Sequence, residues 1–129
     1  MNQVVKEVKD THESMKELLG NDFKTAVWRY PGGHMSWKGT KEADDILKQA
    51  GYEWMDWNAM SGDAEPISTR PTLPWETLQF HEQTLHIAEN DHVRVVLMHD
   101  AFDKEITVDS LPYLIEYYQS HGFEFGVLE

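Results

Sequence analysis

Val93-Arg-Val-Val-Leu-Met-His-Asp100 is the stretch that decides the fold. It is a run of β-branched and aliphatic residues that stops at a histidine and an aspartate. Apolar and polar residues do not alternate, so the run reads as a strand covered on both faces, as in the interior of a parallel sheet. Polar groups at the C-terminal end of such a strand sit where α/β folds gather their chemistry. Arg29-Tyr-Pro-Gly-Gly33 and Asp56-Trp-Asn58 end two further strand-like runs in the same way. Three strands delivering polar groups at one end define a candidate site.

Outward from this strand, helical and extended patterns alternate. Val4, Val5, Val8, Met15, Leu18 and Leu19 fall near one face at helical spacing and predict an amphipathic helix over 3–19, stopped by Gly20. Phe23–Arg29 reads as a strand running into the Pro31-Gly32-Gly33 loop. Lys41–Ala50 reads as a second helix with Ala43, Ile46, Leu47 and Ala50 inward and Gly51 as its stop, followed by a strand at Tyr52–Trp57. Residues 58–73 read as a long loop, a length more often functional than idle.

A third helix is predicted over Pro74–Glu89, with Trp75, Leu78, Leu85 and Ala88 near one stripe. A fourth is expected from Val108 to Ser120, with Pro112 tolerated in its first turn, and Phe123–Leu128 reads as the last strand. A helix, a glycine and then a strand recur at Leu19-Gly20, Ala50-Gly51 and His121-Gly122. The implied fold class is α/β: four βα-type units with a parallel sheet and right-handed crossovers. Four such units make half of a (β/α) barrel.

The 129 residues suit one domain, 1–129, with one core. A formal charge of −12 argues against nucleic acid, whose phosphates need clustered Lys and Arg. The absence of cysteine excludes disulfides and thiolate zinc sites. No apolar run approaches the ~18 residues of a membrane span. The charged, helical opening Met1–Glu7 has none of the parts of a signal peptide, so no export signal is expected in this chain.

His99 is the sharpest chemical candidate. A lone histidine is as a rule a core residue bonded to a backbone carbonyl, but one at a strand's end beside other polar strand ends can serve as a general acid or base. Asp56 could orient it, or equally cap the next loop. Trp57 and Leu97 read as apolar walls or as ordinary core. Arg29 ends an apolar strand, where a guanidinium can hold a carboxylate in fixed geometry. His81 and His86 are five apart, point away from each other, and read as surface residues. His12 and His121 read as helix-face or helix-end residues, and His34 as lining the loop after Arg29.

Arg29-Tyr-Pro-Gly-Gly33, Asp56-Trp57 and Leu97-Met-His99-Asp100, in this order, resemble the third, fourth and fifth motifs of the polysaccharide deacetylases. These are the NodB-homology enzymes of carbohydrate esterase family 4, and the likeness is greatest to peptidoglycan N-acetylglucosamine deacetylases. Thr107–Phe125 resembles the family's closing helix and strand. The resemblance implies metal-assisted hydrolysis of the acetamide bond of N-acetylglucosamine. It implies that His99 is the general acid that protonates the leaving amine, paired with Asp56. Arg29 would orient the catalytic base, the backbone N–H of Tyr30 would bind the oxyanion, and Trp57 and Leu97 would line the acetyl pocket.

The family's first motif, a Thr-Phe-Asp-Asp strand end, and its second, His-x-x-x-His, supply the base and the metal ligands. Neither occurs in this chain, since Asp44-Asp45 falls in mid-helix. The expectation is therefore a C-terminal half-domain with no metal site and no cofactor of its own, a divalent, zinc-like metal belonging to the complete domain. It should be inactive alone. Expected partners are an N-acetylglucosamine polysaccharide or peptidoglycan and either the missing N-terminal half or a second copy. The family acts outside the membrane. A non-catalytic glycan-binding module, stacking sugars on Trp28, Trp37, Trp54 and Trp57, or an assembly module of a cell-wall protein, is the alternative.

Overall fold

The computed structural model describes residues 2–84 and 92–128. The chain divides into two compact units, one of Met1–Asp56 with Val127–Glu129 and one of Trp57–Gly126.

In the first unit Asn2 caps helix α1 (Gln3–Leu19), its Oδ1 accepting the Val4 N–H at 3.1 Å. Gly20 ends the helix at φ +102°, where a side chain would be strained, and its N–H returns to the Lys16 carbonyl. Strands β1 (Val27–Trp28) and β2 (Glu53–Trp54) pair in parallel, Val27 opposite Glu53 and Trp28 opposite Trp54. A parallel pair needs a crossover, supplied here by α2 (Lys41–Gln49).

Val5, Ala43 and Leu47 form the core of this unit, with Val4, Val8, Trp28 and Tyr52 packed on it. Removing these side chains from water is what holds the two helices together. The expected apolar face is only half used. Leu18 and Leu19 at the end of α1 are 85% and 63% exposed, and Ile46 does not reach the core either.

In the second unit β3 (Ala59–Met60) pairs in parallel with β4 (Val96–Leu97), and α3 (Pro74–Thr84) connects them. β3 lies inside the stretch expected to be loop. Ala-Met carries no β-branched signal; Asn58 aligns it instead, bonding the Val93 carbonyl and the Val95 N–H at 2.8 Å each. At the start of α3, the Glu76 carboxylate reaches back to accept from the Leu73 and Thr72 N–H groups, the Glu half of a capping box, since Leu73 has no side-chain acceptor to return. The predicted continuation of this helix to Glu89, with Leu85, His86 and Ala88, lies outside the described residues.

α4 runs from Glu105 to Ser120, so Pro112 falls inside the helix and not in its first turn. Its ring removes the bond that an N–H there would give the Val108 carbonyl. Residues 123–128 form no strand. Strand length is set by a neighbour's ladder as much as by sequence, and Phe123 and Phe125 turn their rings to Tyr118 instead. The same limit shortens the other strands. The described residues hold two two-stranded parallel sheets where one four-stranded sheet was expected. The organising strand is accordingly half-buried, and Val93 is 55% exposed.

His81 corrects a sequence expectation. It is fully buried, with Nε2 2.5 Å from the Tyr118 hydroxyl and no partner for Nδ1. Burial holds its pKa below the ordinary 6.5, Glu82 opposing and Arg94 adding to the effect. Burial also pushes the Tyr118 phenol up to about 12. The folded chain therefore keeps His81 neutral while the unfolded chain protonates near pH 6.5. Stability is complete above that pH and declines as pH falls from 6.5 toward the folded value. Tyr118→Phe leaves both ring nitrogens without a protein partner and is expected to cost about 1–3 kcal/mol in urea unfolding at neutral pH. Among the described residues no helix is long and apolar enough to cross a membrane.

Candidate functional site

The first unit holds Arg29, Tyr30 and Asp56. Arg29 is exposed directly after β1, and Tyr30 beside it is 1% exposed. The Tyr30 hydroxyl donates to Asp44 Oδ1 at 2.8 Å, and its ring packs 4.2 Å from that of Trp28. Burial and the Asp44 carboxylate together push the Tyr30 phenol far up. Asp44, on α2, also meets His34 Nε2 at 2.9 Å, and the His34 ring stacks on Trp54 at 4.0 Å. Burial alone would raise the Asp44 pKa, but the bonds from His34, Tyr30 and Thr40 outweigh it and hold the carboxyl below its usual range. A groove of about 520 Å3 in this unit runs past His12, Trp28, Arg29, Trp37 and Tyr52.

The second unit, taken by itself, holds Trp57, Leu97 and His99. Trp57 is half-buried ahead of β3, and Leu97 is half-buried on β4 opposite Met60. His99 follows β4, and its Nδ1 lies 2.9 Å from Asp63 Oδ1. The backbone N–H of His99 donates to Asp63 Oδ2 at 2.7 Å, and the Thr107 hydroxyl reaches the same oxygen at 2.7 Å. Asp63 is 3% exposed. Its burial favours the neutral acid, yet the His99 ring, Thr107 and the His99 N–H outweigh that and hold the carboxyl below its ordinary 3.8.

The partner of His99 is thus Asp63, and the pairing expected of Asp56 is corrected. Both carboxylate oxygens of Asp56 accept the backbone N–H of His34 at 3.1 Å, so Asp56 fixes the loop after Arg29. Sequence reasoning placed Asp63 in a loop and passed over it. The available signal was Ser61-Gly62-Asp63, a small-residue turn at the end of an unrecognised strand. Gly62 sits at φ +78° with the Phe80 ring and Pro71 pressed against it, and this aims Asp63 inward.

An ionised carboxylate only accepts hydrogen bonds, so Asp63 requires the proton on His99 Nδ1. That leaves Nε2 as the nitrogen that exchanges protons, on a side chain 35% exposed and so accessible to a substrate. The pair has the orienter–imidazole geometry of an acid–base centre. Among the described residues no three of His, Asp and Glu are grouped so as to hold a metal ion.

The structure of a Streptococcus mutans CE4 esterase matches with a TM-score of 0.92 at 52% identity, over 98% of this chain and 53% of its own. The catalytic domain of a Eubacterium rectale peptidoglycan N-acetylglucosamine deacetylase shares the fold with a TM-score of 0.69 at 23% identity, over 94% of this chain and 54% of its own. The Bacillus subtilis (strain 168) protein YheN, which bears a provisional polysaccharide deacetylase name, is 30% identical over 127 residues, 97% of this chain and 41% of YheN. No family model matches the chain. The chain spans roughly half the length of these relatives, and over that span it is similar to a CE4 esterase and to a protein named as a polysaccharide deacetylase.

Proposed function

We propose that this chain supplies the proton-donating side of an amide-hydrolysing site that removes acetyl groups from an N-acetylglucosamine polysaccharide such as peptidoglycan. The observation that carries the reading is the His99–Asp63 pair, with Nδ1 held and Nε2 left to act. In this reading His99 Nε2 gives its proton to the amine nitrogen as the C–N bond breaks, and the Asp63 carboxylate balances the charge of the protonated ring. Arg29 orients the catalytic base, the Tyr30 backbone N–H serves the oxyanion, and Trp57 and Leu97 line the acetyl pocket. The base comes from the part of such a domain that these 129 residues do not contain.

An acid without a base or an activated water has nothing to complete, so the residues alone are expected to release no acetate. The test is acetate release from a chito-oligosaccharide, with added divalent metal and with chelator. Background release in both supports the reading. Metal-dependent release from the chain alone would overturn it, because ligands and base would then lie within these residues.

A further inference from the structure

We propose that Thr107 is a positioning residue for His99, locking the Asp63 carboxylate so that one oxygen is reserved for the imidazole. The inference rests on the reading of His99 as the proton donor and adds the group that sets its geometry. Asp63 Oδ2 receives two donors from different elements: the His99 N–H at the end of β4 and the Thr107 hydroxyl in the first turn of α4. Two donors on one oxygen fix the plane of the carboxylate. Oδ1 is thereby turned to His99 Nδ1.

Thr107 is itself held. It is 7% exposed, its N–H bonds the Lys104 carbonyl at 2.9 Å, and its own carbonyl accepts the Ser110 hydroxyl. A carboxylate cannot donate, so the Thr107 hydroxyl must give its proton to Asp63. Without that bond Oδ2 keeps a single donor, and the carboxylate gains a rotation that moves Oδ1 away from the ring. A core-packing role alone would need the methyl of Thr107 and not its hydroxyl.

Thr107→Ser and Thr107→Ala both lose the methyl and differ only in the hydroxyl, which separates the two roles. The readout is nitrogen-15 NMR of His99 in the 129-residue chain: the tautomer, and the exchange rate of the Nδ1 proton with water. Wild type and Thr107→Ser are expected to show the Nδ1–H tautomer with a protected proton. In Thr107→Ala that proton is expected to exchange about tenfold faster or the tautomer to become mixed, as for a lost bond to a charged group. Identical rates in folded Ser and Ala variants would overturn the role.

Should the Ala variant not fold, a protected Thr107 hydroxyl proton in wild type, with a nuclear Overhauser contact to the His99 N–H, supports the role; a rapidly exchanging hydroxyl overturns it. A wild-type His99 in the Nε2–H tautomer would instead overturn the proton-donor reading itself. The two failures are therefore distinguishable.

Discussion

Asp63→Ala is expected to destabilise the second unit by about 3 kcal/mol, the largest loss for any single polar group at the site. Asp63 is almost fully enclosed and accepts from three donors: the His99 ring, the His99 N–H and the Thr107 hydroxyl. Alanine deletes the acceptor and leaves all three unpaired. The His99 ring is 35% exposed and recovers some of its loss from water, which keeps the figure at the lower end for a broken buried pair. The effect carries a pH signature. Because the folded carboxyl titrates below the ordinary 3.8, its stabilisation is complete above that pH and is lost as pH falls through the folded value. Urea unfolding should show the difference between wild type and Asp63→Ala at neutral pH and show it shrinking below pH 3.8. Equal stabilities at neutral pH would mean that the carboxylate holds nothing in place.

Gly62→Ala is expected to cost a similar amount, about 3 kcal/mol, by a different route. Gly62 adopts φ +78°, which is strained for an L side chain, at about 1–2 kcal/mol. An added Cβ would lie 2.8 Å from two atoms of the Phe80 ring and 3.0 Å from Pro71 Cδ. Neither is the free end of a flexible chain, so α3 or the proline loop must shift, and overpacking of this kind adds about 1–3 kcal/mol. The residue it disturbs is the neighbour of Asp63. Gly62→Ala should therefore lower stability and also loosen the His99 Nδ1 proton. Gly51, whose added Cβ would meet nothing within 4 Å, provides the control, since Gly51→Ala carries the φ penalty alone. A Gly62→Ala loss no larger than that of Gly51→Ala would contradict the close packing against Phe80.

Helix positions were legible because period and punctuation agree. Gly20 and Gly51 follow α1 and α2 where the pattern put their stops, and Ala43 and Leu47 face the core. Strand extents were less legible. Val93–His99 announces a strand, but how much of it pairs depends on β3, whose Ala59-Met60 carries no pattern of its own. At the site, His99 stood out by its place after an apolar run. Its partner did not, because Asp56-Trp57 mimics a strand-end acid more closely than Ser61-Gly62-Asp63, and a glycine's φ is invisible in sequence. Asp44 reads as a mid-helix acid, although its place three residues before buried Leu47 and next to buried Ala43 carries its carboxylate toward Tyr30 and His34. The burial of His81 is not legible in sequence, because its partner, Tyr118, is 37 residues away on another helix.

The proposed acid side rests on His99 and Asp63. A graft tests it most directly: the Streptococcus mutans CE4 esterase with its matching half replaced by this chain, to which it is 52% identical. The graft is expected to retain the parent's hydrolytic activity and to lose about 10²–10⁴-fold in kcat when His99→Ala is introduced, the usual contribution of a general acid. Asp63→Asn is expected to lower kcat in the graft, and Asp56→Asn to affect it less. A folded graft whose activity does not change with His99→Ala, or falls with Asp56→Asn and not with Asp63→Asn, would contradict the account.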